Sequence, residues 1–129
     1  MLVADLFISQ IKTRGIKRVF VYPGGTIAPL VNACVAADVK VEVFKSEQGA
    51  LYAALAVGRS EGVPQVAMVT SGPGVTNAIT PLADAFYDST PLLLVTGQIG
   101  TADLFGPRVS VRQRGFQETP TVELVRAIS

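Results

Sequence analysis

Short, unbroken apolar runs alternate along the chain with segments in which apolar residues recur at helical spacing. The runs predict strands, which cover residues 18–22, 39–44, 65–70 and 91–96. The helical spacing predicts helices, which cover residues 4–13, about 26–38, 46–61, about 75–87 and 119–128. Because a helix separates each strand from the next, the pattern predicts an α/β fold, a doubly wound parallel sheet with helices on both faces.

Turn and cap residues mark the ends of these elements. Gly15 and Gly62 follow predicted helices, and Thr26 and Ser46 stand where helix N-caps are expected. Periodicity disappears over residues 97–115, which are rich in glycine and arginine. We therefore expect a long loop there, over the ligand-binding end of the sheet.

Composition restricts the partners of the chain. Its 129 residues make one domain, and the net charge of +1 comes from charges scattered through the sequence, so we expect no nucleic acid partner. No apolar run is long enough to span a membrane, which excludes a membrane partner and gives a cytoplasmic protein as the default expectation.

Two predicted helices have too few polar positions for a solvated surface. The hydrophobic fraction is 49% with 16% charged residues, and the segments 50–57 and 75–86 are apolar on more than one face. We expect a second subunit or domain to cover them.

The residue inventory excludes several kinds of catalysis. The sequence has no histidine and a single cysteine, Cys34, which removes the usual zinc sites and the Ser-His and Cys-His nucleophiles. Cys34 lies in an apolar helical pattern and is predicted to be a core residue, and no metal site is predicted. Chemistry at this protein would need a carboxylate, amides, hydroxyls, the backbone or a cofactor.

Glu47 is the first candidate for function. An apolar strand gives way to a helix at Ser46, Glu47 and Gln48, which places a carboxylate at the mouth of a parallel sheet, where α/β proteins bind ligands. The alternative is structural: Ser46 caps the helix and Glu47 meets the helix dipole, a contact worth about 0.3–1 kcal/mol. Taken alone, this stretch favours the structural interpretation.

Three loops follow successive strands at this end of the sheet. They comprise residues 22–25, 46–49 and 70–74, with Asn77 one turn later, and their convergence predicts one pocket. The TSGPG loop lacks the lysine of a P-loop and the GxGxxG spacing. It is either a tight strand-to-helix turn or part of a ligand site.

Four motifs in order carry a family resemblance: YPGG, SEQGALYAALAVGRSEG, MVTSGPGVTNAITPLADAFYDSTPLLLVTGQ and GFQE. They resemble the N-terminal pyrimidine-binding domain of thiamine-diphosphate-dependent enzymes of the acetolactate synthase group, over nearly the whole chain. The resemblance implies the flavodoxin-like thiamine-diphosphate-binding fold. It also implies a single domain over residues 1–129, incomplete at its C-terminus because the last helix and strand of the family's domain are missing.

The resemblance also implies roles for individual residues. Glu47 would hydrogen-bond a ring nitrogen of the cofactor's aminopyrimidine and activate it for ylid formation. The implied cofactor-binding residues are Pro23, Gly24, Glu47, Pro73 and Asn77, the implied catalytic residues are Glu47 and Gln117, and the implied substrate channel contains Gly25, Ser46, Phe116 and Gln117. Ser46 stands where the family often has histidine, which affects a polar contact near the pyrimidine or substrate.

The family's cofactor, thiamine diphosphate, is held through its diphosphate and Mg²⁺ by a different domain with a Gly-Asp-Gly motif, which this sequence lacks. The resemblance therefore implies a diphosphate-binding domain or subunit as partner, an inactive isolated chain, and a homodimer through helices of the pyrimidine-binding domains. Some members bind FAD, so a flavin is a further candidate. The implied activity is a lyase or transferase reaction of a small 2-keto acid, and the basic segment between Gly106 and Phe116 points to a more anionic one.

Three functions stay open from the sequence. The chain is a piece of an acetolactate-synthase-like enzyme, a separate small subunit of a two-chain 2-keto acid decarboxylase similar to sulfopyruvate decarboxylase, or a non-catalytic flavodoxin-like binding module. The first two share one cofactor site, and the third does not use it.

Overall fold

The structure of the protein is a computed structural model that describes residues 2–105 and 110–129. Residues 106–109 form part of the basic segment predicted to influence substrate choice, and they lie outside the described residues. The α-helices are α1 (Val3–Thr13), α2 (Ala28–Ala36), α3 (Glu47–Glu61), α4 (Pro73–Asn77), α5 (Ile79–Tyr87), α6 (Thr101–Leu104) and α7 (Thr121–Val125). The strands are β1 (Arg18–Val21), β2 (Lys40–Val43), β3 (Gln65–Val69) and β4 (Leu92–Thr96).

The strands form one parallel sheet in the order β2-β1-β3-β4. The chain moves from β1 outward to β2, and then returns past β1 to add β3 and β4 on the other side. The direction of winding therefore changes between β1 and β3, which is where doubly wound sheets open a crevice at the carboxyl ends of their strands. The predicted α/β class and parallel doubly wound sheet are confirmed.

Alternating side chains of the two central strands build a core on each face of the sheet. On one face Val19, Val21 and Met68 pack with residues of α1 and α2. On the other face Phe20 and Val69 pack with α3 and with Ala78, which precedes α5. This division follows from the strand period of two residues, which sends successive side chains to opposite faces.

The expectation that every strand is covered on both faces holds for β1 and β3 and is wrong for the outer strands. Val43 in β2 is 65% exposed and Leu93 in β4 is 43% exposed. Both strands lie at edges of the sheet in the described part of the chain, so their continuous apolar sequence does not guarantee burial.

The helix predicted over about 26–38 begins differently from the expectation. A single 3₁₀ turn, Gly25–Ile27, precedes α2, and Thr26 lies inside this turn and does not cap the helix. Its hydroxyl instead accepts a weak hydrogen bond of 3.4 Å from the backbone N–H of Ser71, in the loop after β3. A threonine side chain that was expected to serve its own helix therefore connects two loops.

The helix predicted over about 75–87 is divided into α4 and α5, with Ala78 between them. Pro81 explains the division, because proline has no N–H with which to reach the carbonyl of residue 77 and its ring crowds that carbonyl. The first part also begins earlier than predicted, at Pro73, where the fixed φ of proline suits a first helical turn.

The remaining boundaries differ in smaller ways. Ser46 caps α3 as predicted, since its Oγ accepts from the backbone N–H of Gly49 at 3.0 Å, and Gly62 ends that helix with φ of 69°. The predicted loop over 97–115 contains the short helix α6, and the predicted helix over 119–128 is confined to α7. Within the described residues no helix has the length and apolar character needed to cross a membrane.

Cys34 is fully buried among the apolar side chains of the α1–α2 face, as predicted. Burial raises the pKa of its thiol from 9.0 to about 11, because the low-polarity surroundings disfavour the thiolate. The neutral thiol is the form that the core accommodates.

We expect this pKa shift to make the protein less stable at high pH. A raised folded-state pKa leaves stability intact below about pH 9 and removes it as the pH rises toward 11, by about 2 kcal/mol. Urea unfolding of the unmodified chain and of Cys34→Ala across this range measures the effect. The stability difference between the two proteins should shift in favour of the alanine variant as the pH rises, and a difference that is independent of pH would contradict the expectation.

Candidate functional site

The candidate site lies where the loops after β1, β2 and β3 meet, at the carboxyl ends of the strands. β1 is paired with both β2 and β3, so these three loops are neighbours. The convergence predicted from the sequence is present in the structure.

Glu47 is held at this point by its position as the first residue of α3. Its carboxyl group is nearly enclosed, because the residue is only 8% exposed. The capping bond from Ser46 fixes the start of the helix, and the partial positive charge of the helix N-terminus favours a negative group there. Local sequence therefore places a carboxylate at the mouth of the sheet, as predicted.

Asn77 provides the polar contact of this carboxylate. Its side-chain Nδ2 donates a hydrogen bond of 2.8 Å to Glu47 Oε2, and its Oδ1 accepts a long bond of 3.5 Å from Gln48 Nε2. Among the described residues, no buried side-chain nitrogen or oxygen lacks a hydrogen-bond partner. Because Oε1 has no such partner there, this oxygen must keep some solvent-accessible surface.

No cation neutralises the carboxylate within the part of the chain that the structure describes. The ion pairs found there join Arg18 to Glu61, Lys40 to Glu42, and Arg59 to Asp84 and Asp88. Burial of a carboxylate with a single amide donor costs stability unless a further partner satisfies it. The described residues also contain no cluster of three or more metal-ligating side chains.

Thr70, the residue after β3, holds the loops together, although no individual role was predicted for it. A β-carbon added at Gly24 would overlap Thr70 Cγ2, and one added at Gly74 would overlap Thr70 Oγ1 and come within 3.7 Å of Glu47 Oε1. The two glycines therefore allow the loops after β1 and β3 to approach Thr70 on both sides.

The GFQE segment reaches the same region through Gln117. The backbone of Gln117 lies against Gly72, where an added β-carbon would overlap the Gln117 carbonyl oxygen and lie 2.7 Å from its β-carbon. Gln117 has φ of +54°, an uncommon conformation for a residue other than glycine, and Gly72 has φ of +62°. Phe116 is 82% exposed. The structure thus places Gln117 beside the TSGPG loop and leaves the Phe116 ring in solvent.

The other residues that the resemblance singled out lie on the loops and in the first helical turns around this point. Gly24 is half-buried, and the exposed ones are Pro23, Gly25, Ser46 and Pro73. Within the described residues, Asn77 supplies the only side-chain hydrogen bond to Glu47. The other residues singled out by the resemblance make no side-chain hydrogen bond to Glu47 there. Gln48 and Thr70 belong to motifs recognised in the sequence, but only the structure shows that Gln48 contacts Asn77 and that Thr70 packs against Gly24 and Gly74.

Two open cavities lie away from this site. One of about 580 Å³ is at the amino ends of the strands, between Arg14, Glu61 and Leu93, and one of about 630 Å³ runs beside β4 between α5 and α7. Neither includes Glu47 in its lining. The chemistry of the loops, and not the size of a cavity, therefore identifies the site.

The arrangement can hold or release a proton at one defined oxygen. Oε1 has no hydrogen-bond partner among the described residues, and Oε2 is occupied by Asn77. A buried carboxylate with these properties suits the binding of a planar nitrogen heterocycle whose ring nitrogen shares a proton with it.

Comparison with known proteins shows the family of the chain. Residues 1–124 match the family described as "Thiamine pyrophosphate enzyme, N-terminal TPP binding domain". Over 127 residues the chain is 38% identical to a chloroplastic acetolactate synthase of Arabidopsis thaliana and 39% identical to chloroplastic acetolactate synthase 3 of Brassica napus. These matches cover 98% of this chain and 18% of each relative, so the chain spans about a fifth of their length. The chain belongs to the thiamine pyrophosphate enzyme family, in which it corresponds to the N-terminal TPP-binding domain of acetolactate-synthase-like enzymes.

Proposed function

We propose that the chain binds the aminopyrimidine of thiamine diphosphate for an enzyme that decarboxylates or ligates 2-keto acids, and that Glu47 is its acid-base residue. The observation that carries this proposal is the buried Glu47 carboxylate, which has an amide on Oε2 and, among the described residues, neither a cation partner nor a hydrogen-bond partner for Oε1. The similarity to acetolactate synthases supports the reaction class.

The residues present fit an aminopyrimidine. Glu47 Oε1, which has no hydrogen-bond partner among the described residues, would bind its ring nitrogen, and the backbone of Gly24, on the loop after β1, would contact the ring. Pro23 and Pro73 lie on the loops at either side and would contact the faces of the ring. When bound, the cofactor supplies a thiazolium carbon that, once deprotonated, attacks the carbonyl carbon of the 2-keto acid.

The contribution of this chain is to hold and move one proton. Glu47 carries it at Oε1, and the burial of most of the residue limits the access of competing water. The helix N-terminus and the Asn77 amide stabilise the ionised state that remains after the proton leaves. Gln117, held beside Gly72, and exposed Phe116 would border the path of the substrate, with Gly25 and Ser46 on the neighbouring loops.

The other half of the cofactor requires another domain. The chain corresponds to 18% of the Arabidopsis relative and lacks a Gly-Asp-Gly motif, so we infer that the diphosphate, with Mg²⁺, binds to a different domain or subunit. The isolated chain is then inactive. FAD remains a further candidate cofactor. The proposed location of the protein is the cytoplasm, although the similar acetolactate synthases are named chloroplastic.

The family match favours cofactor binding over a non-catalytic module. A separate small subunit of a two-chain decarboxylase is the alternative, and it uses the same site. The test of the proposal is whether this chain, joined to or mixed with a diphosphate-binding domain, accelerates exchange of the thiazolium proton in a way that requires Glu47. Acceleration after mixing with a separately encoded chain would favour the two-chain form.

We also propose a homodimer through α3 and α5. The apolar character of these helices leaves Tyr52 42% exposed, Phe86 50% exposed and Tyr87 75% exposed. They lie on the same face of the sheet, so they form one surface. Large exposed aromatic side chains on such a surface are typical of contacts between subunits.

Sedimentation velocity should show concentration-dependent association that Phe86→Asp weakens by about tenfold or more, since a buried charge in an apolar interface is costly. Val35→Asp is the matched control, because Val35 is 67% exposed on α2, on the opposite face of the sheet. A chain that stays monomeric at every concentration, or equal effects of the two variants, would contradict the proposed interface.

A further inference from the structure

The contact between Asn77 and Glu47 makes the two oxygens of the carboxyl group different. Oε2 accepts the Asn77 amide at 2.8 Å, whereas Oε1 has no partner among the described residues and keeps some solvent-accessible surface. The side-chain amide of asparagine is a donor through Nδ2 at any pH at which the protein folds. It can therefore donate to Oε2 whether Glu47 is ionised or protonated.

We propose that Asn77 is a positioning residue that confines the exchangeable proton of Glu47 to Oε1. This inference rests on the proposed function of Glu47 as the acid-base residue. A proton placed on Oε2 would make this oxygen a much poorer acceptor and so weaken the hydrogen bond from Asn77, whereas a proton on Oε1 leaves the bond in place. The proton is thereby directed to the oxygen that meets the ligand, and its transfer between Oε1 and a ring nitrogen leaves the bond from Asn77 unchanged.

Gln48 gives Asn77 its orientation. The Gln48 side chain donates from Nε2 to Asn77 Oδ1 at 3.5 Å, which is long but requires the Asn77 amide to keep its Nδ2 toward Glu47. Gln48 follows Glu47 on α3, and Asn77 is the last residue of α4, so the three side chains connect two helices. The position of the Glu47 carboxyl group consequently depends on α4 as well as on its own helix.

The break between α4 and α5 bears on this arrangement. Asn77 ends α4 because Pro81 cannot donate to the carbonyl of residue 77, and the chain turns at Ala78 before α5 begins. Pro81 therefore determines where the short helix that carries Asn77 ends.

The first test needs no cofactor. In ¹H–¹⁵N spectra of the 129-residue chain, the side-chain amide of Asn77 should have one proton shifted and protected from exchange with solvent, and both features should disappear in Glu47→Ala. The side-chain amide of exposed Asn32, on α2, serves as the reference signal and should not change. An Asn77 amide that Glu47→Ala leaves unaltered would overturn the inference.

The second test measures deuterium exchange at the thiazolium carbon of thiamine diphosphate, with the chain joined to its diphosphate-binding domain or partner chain. Asn77→Asp keeps the shape and removes the donor, and Asn77→Leu removes it without adding charge. Both should slow exchange by roughly tenfold to a hundredfold, as expected for a misplaced catalytic group, while cofactor affinity changes less. Asn32→Asp is the matched control and should exchange at the unmodified rate.

The outcomes separate this inference from the proposed function. If Glu47→Gln slows exchange and both Asn77 variants keep the unmodified rate, the positioning role is wrong and the role of Glu47 stands. If Glu47→Gln also keeps the unmodified rate, the proposed function itself fails. Should one Asn77 variant not fold, the other variant and the cofactor-free spectra of the unmodified chain still decide the question.

Discussion

Replacement of Glu47 by glutamine should slow deuterium exchange at the thiazolium carbon of bound thiamine diphosphate by about a hundred- to ten-thousand-fold. Glutamine keeps the size of the side chain and still offers an oxygen to the Asn77 amide, but it cannot release or take up a proton at the open position. The measurement requires the chain together with a diphosphate-binding domain or partner, since the isolated chain should give no acceleration above buffer.

Two controls make this result specific to the site. Glu123→Gln introduces the same chemical change at an exposed position on α7 and should leave the exchange rate unaltered. Thermal unfolding of Glu47→Gln should show that the fold is retained. If the Glu47→Gln protein supports deuterium exchange at the thiazolium carbon as fast as the unmodified protein, Glu47 has only a structural role. That role is a contact with the helix dipole, worth under about 1 kcal/mol.

Gly24→Ala should destabilise the protein by about 2–3 kcal/mol, whereas Gly25→Ala should change its stability by less than about 0.5 kcal/mol. The added β-carbon at Gly24 would overlap Thr70 Cγ2, but at Gly25 it would meet nothing within 4 Å. Urea unfolding of the two neighbouring variants measures the difference. Equal losses at the two positions would show that the loops after β1 and β3 do not pack around Thr70.

Thr70→Ser provides a test of the cause. It removes Cγ2, after which the nearest Thr70 atoms to a β-carbon at position 24 would be Cβ at 3.5 Å and Oγ1 at 3.8 Å, which are ordinary contacts. In the Thr70→Ser background, Gly24→Ala should therefore cost at least about 1 kcal/mol less than in the unmodified chain. An unchanged cost would mean that the Thr70 methyl group is not what excludes a side chain at position 24.

Much of the fold follows from local sequence. The unbroken apolar runs and the helices between them predict the parallel sheet, because parallel strands need a crossover connection, which is usually an α-helix. Ser46 and Gly62 set the ends of α3 through contacts within a few residues, and both were predicted. Glu47 lies at the mouth of the sheet because it is the first residue of α3, whose start is set by the local Ser46 cap.

The differences arise where a distant residue competes with a local preference. Thr26 is a good N-cap by type, yet it lies in a 3₁₀ turn and its hydroxyl accepts from Ser71, 45 residues away. The outer strands have the apolar sequence of buried ones, and their exposure depends on their place in the sheet order. The division of α4 from α5 is the exception, since Pro81 was available as a local signal for it.

For the candidate site, the sequence by itself determined the loops and their residue types, and the resemblance of its motifs assigned Glu47 to the cofactor. Only the tertiary structure decided that Asn77 binds Oε2, that Oε1 stays open, and that Thr70 occupies the space between Gly24 and Gly74. The physical reason is the separation along the sequence of the residues that interact. Strand and helix preferences and caps act between residues a few positions apart, whereas Glu47 and Asn77 lie 30 positions apart, and the packing of α3 against α4 brings them within 2.8 Å.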